Sequence, residues 1–438
     1  MAIHHWAQLD AAARAQLLSR PRSAQSDEVV AQARAIVDAV RAEGDAAVRR
    51  YTARYDGVSL DRLAALRASP EEFAAARAAL APEAIAALER AIANVDAFHA
   101  AQRPAPLALD TMPGVRCERI VRPIASVGLY VPSGSAPLPS TVVMLGVPAR
   151  LAGCRLRILC TAPDAGGRAA PAVLVAAQLC GIDTVFKIGG AQAIAALAYG
   201  TESVPKVDKI FGPGNAWVTA AKQIVAADPA GAALDLPAGP SEVLVLADDG
   251  ASAAFVAADL LAQAEHDAIA QAILVTDSAA LAAATAGEIE RQLPRLSRQR
   301  ILGASVRAMR LIVTPDLDTA ISVSNAYAPE HLILQVREPR RRLEAIESAG
   351  SVFLGAWSPE PLGDYCSGAN HVLPTYGHAR ACSGLSLLDF VKRITVQDVG
   401  EAGLAALGPT AATLARLEGL DAHAAAVERR LAALGAAR

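Results

Sequence analysis

The sequence has 438 residues, of which 53% are apolar but only 4% aromatic. This length favours more than one domain, and a chain of this size can bury its cores without disulfides. With 41 Lys and Arg against 44 Asp and Glu, the net charge of −3 lacks the basic footprint of a nucleic-acid-binding protein. The six cysteines show no Cys-x-x-Cys pair and no regular framework, so we interpret them as reduced thiols of a cytoplasmic protein.

No secretion signal or membrane span is predicted. The N-terminus lacks the basic-then-apolar pattern of a signal peptide. The uncharged run 123–149 contains Pro and Gly at many positions, including Pro132, Pro137 and Pro139, and cannot form one uninterrupted apolar helix. We interpret it as a loop-rich core segment.

The first 118 residues are predicted to be mostly helical. Val30, Ile36, Val37 and Val40 form an apolar stripe at helical spacing. Further along, Ser69 and Glu72 have the spacing of a capping box, which marks the start of another helix. We interpret this region as scaffold.

From residue 119 onward, short apolar runs alternate with helical patterns, which is typical of parallel sheets covered by helices on both faces. The units suffice for two Rossmann-like domains, 119–238 and 239–378, divided near the Pro- and Gly-containing segment 235–242. The remaining residues, 379–438, contain one strand-like segment and a helical tail. The predicted fold is therefore α/β, with two parallel-sheet domains, a helical N-terminal region and a small helical C-terminal domain.

Polar groups concentrate in the stretch 357–377, which shows neither helical nor strand periodicity. It contains Asp364, Cys366, Asn370 and His371 among several Gly and Pro residues. Irregular segments on a rigid scaffold often carry binding and catalytic groups, so we expect a functional site here.

A metal site is one interpretation of a second patch, AQAEHD. Gln263 and His266 are three residues apart, which places both on one face of a helix. Together with Asp364 they could supply three ligands to zinc and leave a position for water or substrate. Gln is an uncommon ligand, and the chain has no HExxH motif. Spacing alone therefore leaves open a metal site or an ordinary surface histidine.

Glu330 and His331 form a third patch, in the motif APEHL. In a loop after Pro329, both side chains could face one pocket, with His331 as a general base and Glu330 activating a water. The alternative is a glutamate at a helix N-terminus beside a solvated histidine.

Two glycine-containing turns, GGAQAIAALAYG and FGPGNAWVTAAK, each follow a strand and open a helix. Such turns allow the backbone to approach a phosphate at a helix N-terminus. Neither is the GxGxxG fingerprint, so ordinary strand–helix turns explain them equally well. Tyr130, in GLYVPSGSAPLPSTV, could stack on a nucleotide or simply pack.

Taken in order, these motifs resemble those of the histidinol dehydrogenases over nearly the whole chain. The matching segments are GLYVPSGSAPLPSTV, GGAQAIAALAYGTE, FGPGNAWVTAAK, DLPAGPSEVLV, LLAQAEHD, NAYAPEHL, GDYCSGANHVLPT and EGLDAH. The resemblance implies a homodimeric zinc enzyme that oxidises L-histidinol to L-histidine, the last step of histidine biosynthesis, with two NAD in succession.

The resemblance also implies roles for individual residues. Glu330 and His331 would be catalytic, and His371 is given no catalytic role. The zinc ligands would be Gln263, His266 and Asp364, with His423 reaching over from the partner subunit. The NAD-contacting residues would be Tyr130, Gln192 and Asn215. The residues that contact substrate would be Ser241, Gln263, His266, His331, Asp364, Glu418 and His423.

One position departs from the family pattern, since Ser133–Gly134 stands where a Gly-Gly pair is expected. The added Cβ could reshape the nucleotide loop, so its effect is expected on NAD affinity. Cys117 and Cys366 could suggest a thioester route for aldehyde oxidation, but the resemblance points to attack by water.

Three other functions stay open. The first is oxidation of another small polar alcohol by the same zinc and hydride chemistry. The second is a zinc hydrolase that uses Glu330 to activate water and binds no nucleotide. The third is a dimer that a metal stabilises without catalysis.

Overall fold

The computed structural model describes residues 2–21, 27–58, 66–133, 136–236 and 239–436. The chain divides into two compact units, one of residues 1–102 and 124–389 and the other of residues 103–123 and 390–438. Within the described part of the chain, no helix combines the length and the apolar character that a bilayer-spanning segment needs.

The described helices, in chain order, are α1 (Ala11–Leu17), α2 (Asp27–Glu43), α3 (Asp45–Asp56), α4 (Pro70–Ala79), α5 (Pro82–Ala100), α6 (Pro139–Ala152), α7 (Pro171–Leu179), α8 (Gly190–Tyr199), α9 (Ala216–Ala227), α10 (Ala253–Ala264), α11 (Ala279–Gln292), α12 (Gln299–Ser305), α13 (Leu317–Tyr327), α14 (Pro339–Arg342), α15 (Glu360–Tyr365), α16 (Glu401–Leu417) and α17 (Asp421–Ala436). The described strands are β1 (Ile3–His5), β2 (Leu107–Met112), β3 (Val115–Pro123), β4 (Ser126–Val131), β5 (Leu156–Thr161), β6 (Thr184–Lys187), β7 (Lys209–Phe211), β8 (Ala233–Leu234), β9 (Glu242–Ala247), β10 (Gln271–Thr276), β11 (Arg310–Val313), β12 (His331–Gln335), β13 (Ser351–Leu354) and β14 (Val391–Val399).

The first unit contains two parallel sheets with the same strand order. One is five-stranded, β6-β5-β4-β7-β8. The other is six-stranded, β1-β11-β10-β9-β12-β13, and differs by the added edge strand β1. Counted along the chain and leaving out β1, each sheet runs third, second, first, fourth, fifth, which is the Rossmann order 3-2-1-4-5-6 without its sixth strand. The predicted α/β class with two Rossmann-like sheets is confirmed.

Both faces of the six-stranded sheet are covered, which explains the unbroken apolar runs in the sequence. β9 and β10 are buried along their whole length. Val243 and Val245 pack into one apolar cluster, and Leu244 and Leu246 pack into another. Because successive side chains of a strand point to opposite faces, these two clusters lie on the two sides of the sheet.

The second unit combines an antiparallel sheet with two helices. Its strands pair in the order β14-β3-β2, and α16 packs on α17. The strand-like segment and the helical tail near the C-terminus are thus confirmed. The first 118 residues are mostly helical as predicted, except that β1, β2 and the start of β3 lie within them. The four-part division at residues 118, 238 and 378 stays a prediction.

Candidate active site

Glu330 and His331 lie at the amino end of β12, which pairs in parallel with β9. Both are buried, with 6% and 3% of their surfaces exposed. The backbone N–H of Glu242, the first residue of β9, donates to Glu330 Oε2 over 2.8 Å. The backbone carbonyl of Glu242 accepts a hydrogen bond from His331 Nδ1 over 3.2 Å. The prediction that both residues lie in a loop is wrong for His331, because His331 is the first paired residue of β12.

The bond to the Glu242 carbonyl fixes the tautomer of His331. A carbonyl oxygen only accepts, so Nδ1 must carry the proton in the neutral imidazole. The lone pair then lies on Nε2, which has no hydrogen-bond partner among the described residues. When the imidazole is neutral, Nε2 is therefore the nitrogen that can take up a proton.

Two carboxylates reach this imidazole from α15. Glu360 and Asp364 lie four residues apart on this short helix, and both are buried. Asp364 Oδ1 is 3.4 Å from His331 Nε2, and Glu360 Oε1 is 3.9 Å from Nδ1. Glu330 Oε2 lies 3.6 Å from the same Nδ1. One imidazole thus faces three carboxylates.

The stretch 357–377 was predicted to lack helical periodicity, and α15 shows that this is wrong for its first part. Pro359 caps α15 and Pro361 follows in its first turn, where proline is favoured at a helix start. A helix of six residues is too short for its apolar spacing to stand out. Sequence reasoning also missed Glu360, although its i, i+4 spacing to Asp364 was a usable signal.

Burial and charge shift the protonation of the whole cluster. Burial raises the pKa of Glu330 to about 8 and that of Glu360 to about 8. Burial acts to lower the pKa of His331, but Glu360, Glu330 and Asp364 together raise it to about 10. For Asp364, burial is outweighed by His331 and the pKa is lowered. Without a bound cation, the cluster therefore holds a protonated imidazole among its acids.

His266, just after α10, approaches the cluster, and Gln263 lies in the last turn of this helix, which packs against α15. The Gln263 side chain is buried, and both of its amide atoms lack a hydrogen-bond partner among the described residues. His266 lies beyond the last residue of α10, so the predicted common helix face is wrong. The chain turns there to enter β10 at Gln271, and the His266 N–H bonds the Gln263 carbonyl over 3.2 Å.

The donor atoms in this corner fit a divalent metal ion. Ligand atoms of His266, Glu360 and Asp364 all lie within 4.8 Å of one another. Zinc accepts imidazole nitrogens and carboxylate oxygens as ligands. The amide oxygen of Gln263, which accepts no hydrogen bond from the described residues, is a further oxygen ligand of the kind that divalent ions bind. His266 is exposed, but desolvation by nearby protein atoms outweighs Asp364 and lowers its pKa, which favours the neutral, ligating form.

The other predicted substrate and metal residues are distributed differently. Ser241 precedes β9 at the same sheet edge, where its carbonyl accepts from the Gln271 N–H over 3.0 Å. Glu418 and His423 belong to the second unit, and both are exposed. His371 supports α15, because its Nδ1 donates to the Asp364 carbonyl over 2.7 Å.

The residues predicted to contact NAD lie at the carboxyl edge of the five-stranded sheet. Tyr130 is near the end of β4, and its Oη accepts from the Gly190 N–H over 3.0 Å. Gly190 has φ +62°, and a Cβ on it would lie 2.7 Å from Gln192 Oε1. Tyr130 and Gln192 thus meet at one glycine that no larger residue could replace without strain.

Asn215 belongs to the neighbouring loop, after β7. It caps α9, since its side chain accepts from the Val218 N–H over 3.1 Å. Earlier in this loop, Gly212 comes so close to the Tyr130 carbonyl that a Cβ would lie 2.1 Å from its oxygen. The loops of Tyr130 and Asn215 are therefore adjacent, although contact of any of these residues with NAD stays a prediction. Gly134 lies outside the described residues.

The chain is similar to known proteins over nearly its whole length. The family model described as histidinol dehydrogenase matches residues 19–431. Curated histidinol dehydrogenases are 58% identical in Xanthomonas oryzae, over 98% of this chain and 99% of theirs, and 54% identical in Yersinia pestis, over 98% and 96%. The crystal structure of histidinol dehydrogenase from Elizabethkingia anophelis superposes with a TM-score of 0.94 at 44% identity, covering 99% of each chain. The chain therefore belongs to the histidinol dehydrogenase family.

Proposed function

We propose that this chain oxidises L-histidinol through L-histidinal to L-histidine with zinc and two molecules of NAD, and that Glu330 and His331 carry the proton transfers. Membership of the family makes the chain an NAD-dependent oxidoreductase that acts in the last step of histidine biosynthesis. The observation that carries the proposal is the geometry of His331. Its Nδ1 is fixed on the Glu242 carbonyl, while Nε2 lies 3.4 Å from Asp364 Oδ1.

In the first oxidation, His331 Nε2 accepts the hydroxyl proton of histidinol while the carbon-bound hydrogen leaves as hydride to NAD. The products of this step are histidinal, NADH and a protonated His331, which must release its proton before the second oxidation. A general base whose tautomer and orientation are fixed before the reaction does not have to reorient during the proton transfer.

In the second oxidation, Glu330 accepts a proton from the water that attacks the aldehyde carbon, which gives the hydrate as its anion, with the negative charge on the former carbonyl oxygen. The raised pKa of Glu330, about 8, suits a group that must take up and return protons near neutral pH. His331 then accepts a hydroxyl proton of the hydrate as hydride leaves to the second NAD. The carboxylate of histidine results.

The residues proposed to hold zinc are Gln263, His266, Asp364 and His423 of the partner subunit. Bound zinc would orient the amine and the imidazole of the substrate, and it would offset the negative charge of the cluster. What supports the first three is the burial and the unpartnered amide of Gln263, the buried carboxylate of Asp364, and the closeness of the His266 and Asp364 ligand atoms. Glu360 offers an alternative carboxylate ligand in the same corner.

The shared active site is proposed on the resemblance, and so is the substrate contact of Ser241 and Glu418. Mixing two inactive variants tests whether the two subunits share each active site. If Asp364→Asn and His423→Ala subunits exchange into mixed dimers, one of the two sites regains all its zinc ligands and activity returns. Activity that never returns in verified mixed dimers would rule out ligation across subunits. The homodimer and the cytoplasmic location stay predictions.

The experiment that tests the proposed function is the amount of NADH formed per L-histidinol consumed, with and without a zinc chelator. Two NADH per substrate, abolished by the chelator and restored by zinc, are the expected result. No NADH from histidinol but NADH from another amino alcohol would favour the related dehydrogenase. No NADH from any alcohol, with zinc-dependent hydrolysis instead, would favour the hydrolase.

A further inference from the structure

Arg20 follows α1 in the sequence. It forms a buried ion pair with Glu242 at the amino edge of the six-stranded sheet. Its Nη2 donates to Glu242 Oε2 over 2.8 Å, and its Nε donates to the other carboxylate oxygen. The two side chains are 11% and 0% exposed. A forked pair this deeply buried fixes both groups in direction as well as in distance.

The same guanidinium also holds the segment that leads into β12. Nη2 donates to the carbonyls of Tyr327, over 2.8 Å, and Ala328, over 3.3 Å. The guanidinium carbon lies 3.8 Å from the centre of the Tyr327 ring. Ala328 has φ +53°, a left-handed conformation that non-glycine residues seldom adopt without support.

Arg20 therefore restrains both sides of the catalytic pair without touching it. On one side it fixes Glu242, whose backbone N–H and carbonyl bind Glu330 and His331. On the other side it fixes residues 327 and 328, which immediately precede Pro329 and Glu330. A lysine could supply the charge but not the parallel donors that serve the carboxylate and the two carbonyls together.

We propose that Arg20 is a positioning residue that sets the orientation of Glu330 and His331 through Glu242 and residues 327–328. The proposal rests on the proposed function, in which those two residues transfer the protons. Arg20 makes no contact with substrate or cofactor in this account. Its loss is expected to slow the chemical steps while zinc and substrate still bind.

The test compares Arg20→Lys with Arg310→Lys in the full-length, zinc-loaded protein. Arg310 is a second arginine at this sheet edge, where its Nη2 donates to the Ser19 carbonyl over 3.0 Å and to the Gln271 side chain. Neither bond involves Glu242, and the charge of Arg310, which also acts on Glu242 and Tyr327, is kept by a lysine. Arg20→Lys is expected to lower kcat about 10- to 100-fold, as for groups that orient catalytic residues, with the KM values within about threefold. Arg310→Lys is expected to keep the wild-type kcat.

The pH profile of kcat separates positioning from stability. If Arg20 orients His331, the limb that reports its deprotonation shifts in Arg20→Lys and not in Arg310→Lys. A wild-type kcat and profile in Arg20→Lys, even with a lowered melting temperature, would overturn the proposal. If Arg20→Lys fails to fold, the double variant Arg20→Met with Glu242→Gln removes both charges together. A folded double variant with wild-type kcat would overturn the proposal equally.

Assays of His331→Asn and Glu330→Gln under the same conditions distinguish failure of the proposed function from failure of the positioning role alone. Full activity in those variants would contradict the proposed function itself. Loss of activity in them, with wild-type kinetics in Arg20→Lys, would remove only the positioning role.

Discussion

The five-stranded and six-stranded sheets share one strand order but present their candidate functional groups at opposite edges. Tyr130 lies near the carboxyl end of β4, and Gln192 and Asn215 follow the carboxyl ends of β6 and β7. Glu330 and His331 stand at the amino end of β12, beside the amino end of β9. Ligands of open α/β sheets usually bind at the carboxyl edge, so only the five-stranded sheet follows that rule.

The difference shows how the two edges hold their residues. At the carboxyl edge, glycines with unusual backbone angles let loops approach one another, as at Gly190 and Gly212. At the amino edge, strand pairing and backbone bonds from Glu242 fix buried, titratable side chains. The first arrangement suits a large cofactor that must enter and leave. The second suits acid–base groups whose orientation must not change. Shared topology thus does not decide where the chemistry lies.

The largest effect is expected at the amino edge. Asp364→Asn should lose zinc and lower kcat/KM about a thousandfold, because metal stabilisation of charge is worth several kcal/mol. Zinc content by elemental analysis and NADH formation check this, and NAD binding by the variant should be unchanged.

Two further variants sharpen the ligand assignment. Gln263→Leu is expected to lose zinc, whereas Glu360→Gln is expected to retain it. Retention of zinc by Gln263→Leu together with its loss in Glu360→Gln would replace Gln263 by Glu360 in the ligand set.

An intermediate effect is expected at the carboxyl edge. Gly190→Ala forces a side chain into a left-handed conformation 2.7 Å from Gln192 Oε1. The displaced Gln192 and Tyr130 should raise the KM for NAD roughly tenfold, the equivalent of about 1.4 kcal/mol. Zinc content should not change.

The matched control is Gly153→Ala. Gly153 also has a left-handed angle, φ +85°, but a Cβ there meets no atom within 4 Å. This variant is expected to lose some stability and keep its KM for NAD. An equal rise in KM for both variants would mean that backbone strain, and not the nucleotide loop, causes the effect.

The last effect concerns stability and not kinetics, and it involves a buried carboxylate on α10. Burial raises the pKa of Asp259 to about 6, against the bond that its carboxylate accepts from Gln335 over 2.7 Å. The folded state therefore favours the protonated acid. This contribution to stability is complete below the unfolded pKa of about 3.9 and is lost as the pH rises through about 6.

Asp259→Asn removes this dependence, since the amide is neutral and still accepts from Gln335. We expect the variant to have a free energy of unfolding about 1–3 kcal/mol above that of the wild type at pH 7.5, and a smaller difference at pH 4.5. Urea unfolding at both pH values measures it. A difference that grows as the pH falls would contradict the sign.

Much of the fold could be predicted from the sequence because six strands of the two parallel sheets are short apolar runs that end at Gly, Pro, Asp or Thr, namely β5, β6, β7, β9, β10 and β11. Runs such as EVLVLADD and QAILVTDS became β9 and β10. β1 could not be predicted in this way, because its three residues, IHH, carry no apolar run and join the sheet only through pairing with β11. β2 was missed for a similar reason, since it is exposed along most of its length.

The candidate site was predicted in part. Family motifs named Glu330, His331 and Asp364, and the structure brings them together. Glu360 was missed because α15 is too short for periodicity. Arg20 was missed because its partner, Glu242, is more than two hundred positions away, and no local pattern records such a pair.

The central claim is that Glu330 and His331 divide the proton transfers at the amino edge. The most direct test measures the rates of NADH formation from L-histidinol and from L-histidinal in the Glu330→Gln and His331→Asn variants. The account predicts that His331→Asn slows both oxidations by about 100- to 10,000-fold, the usual contribution of a general base. Glu330→Gln should slow the oxidation of the aldehyde to a similar extent and that of the alcohol by less than about tenfold. Equal losses in both reactions of Glu330→Gln would contradict the division.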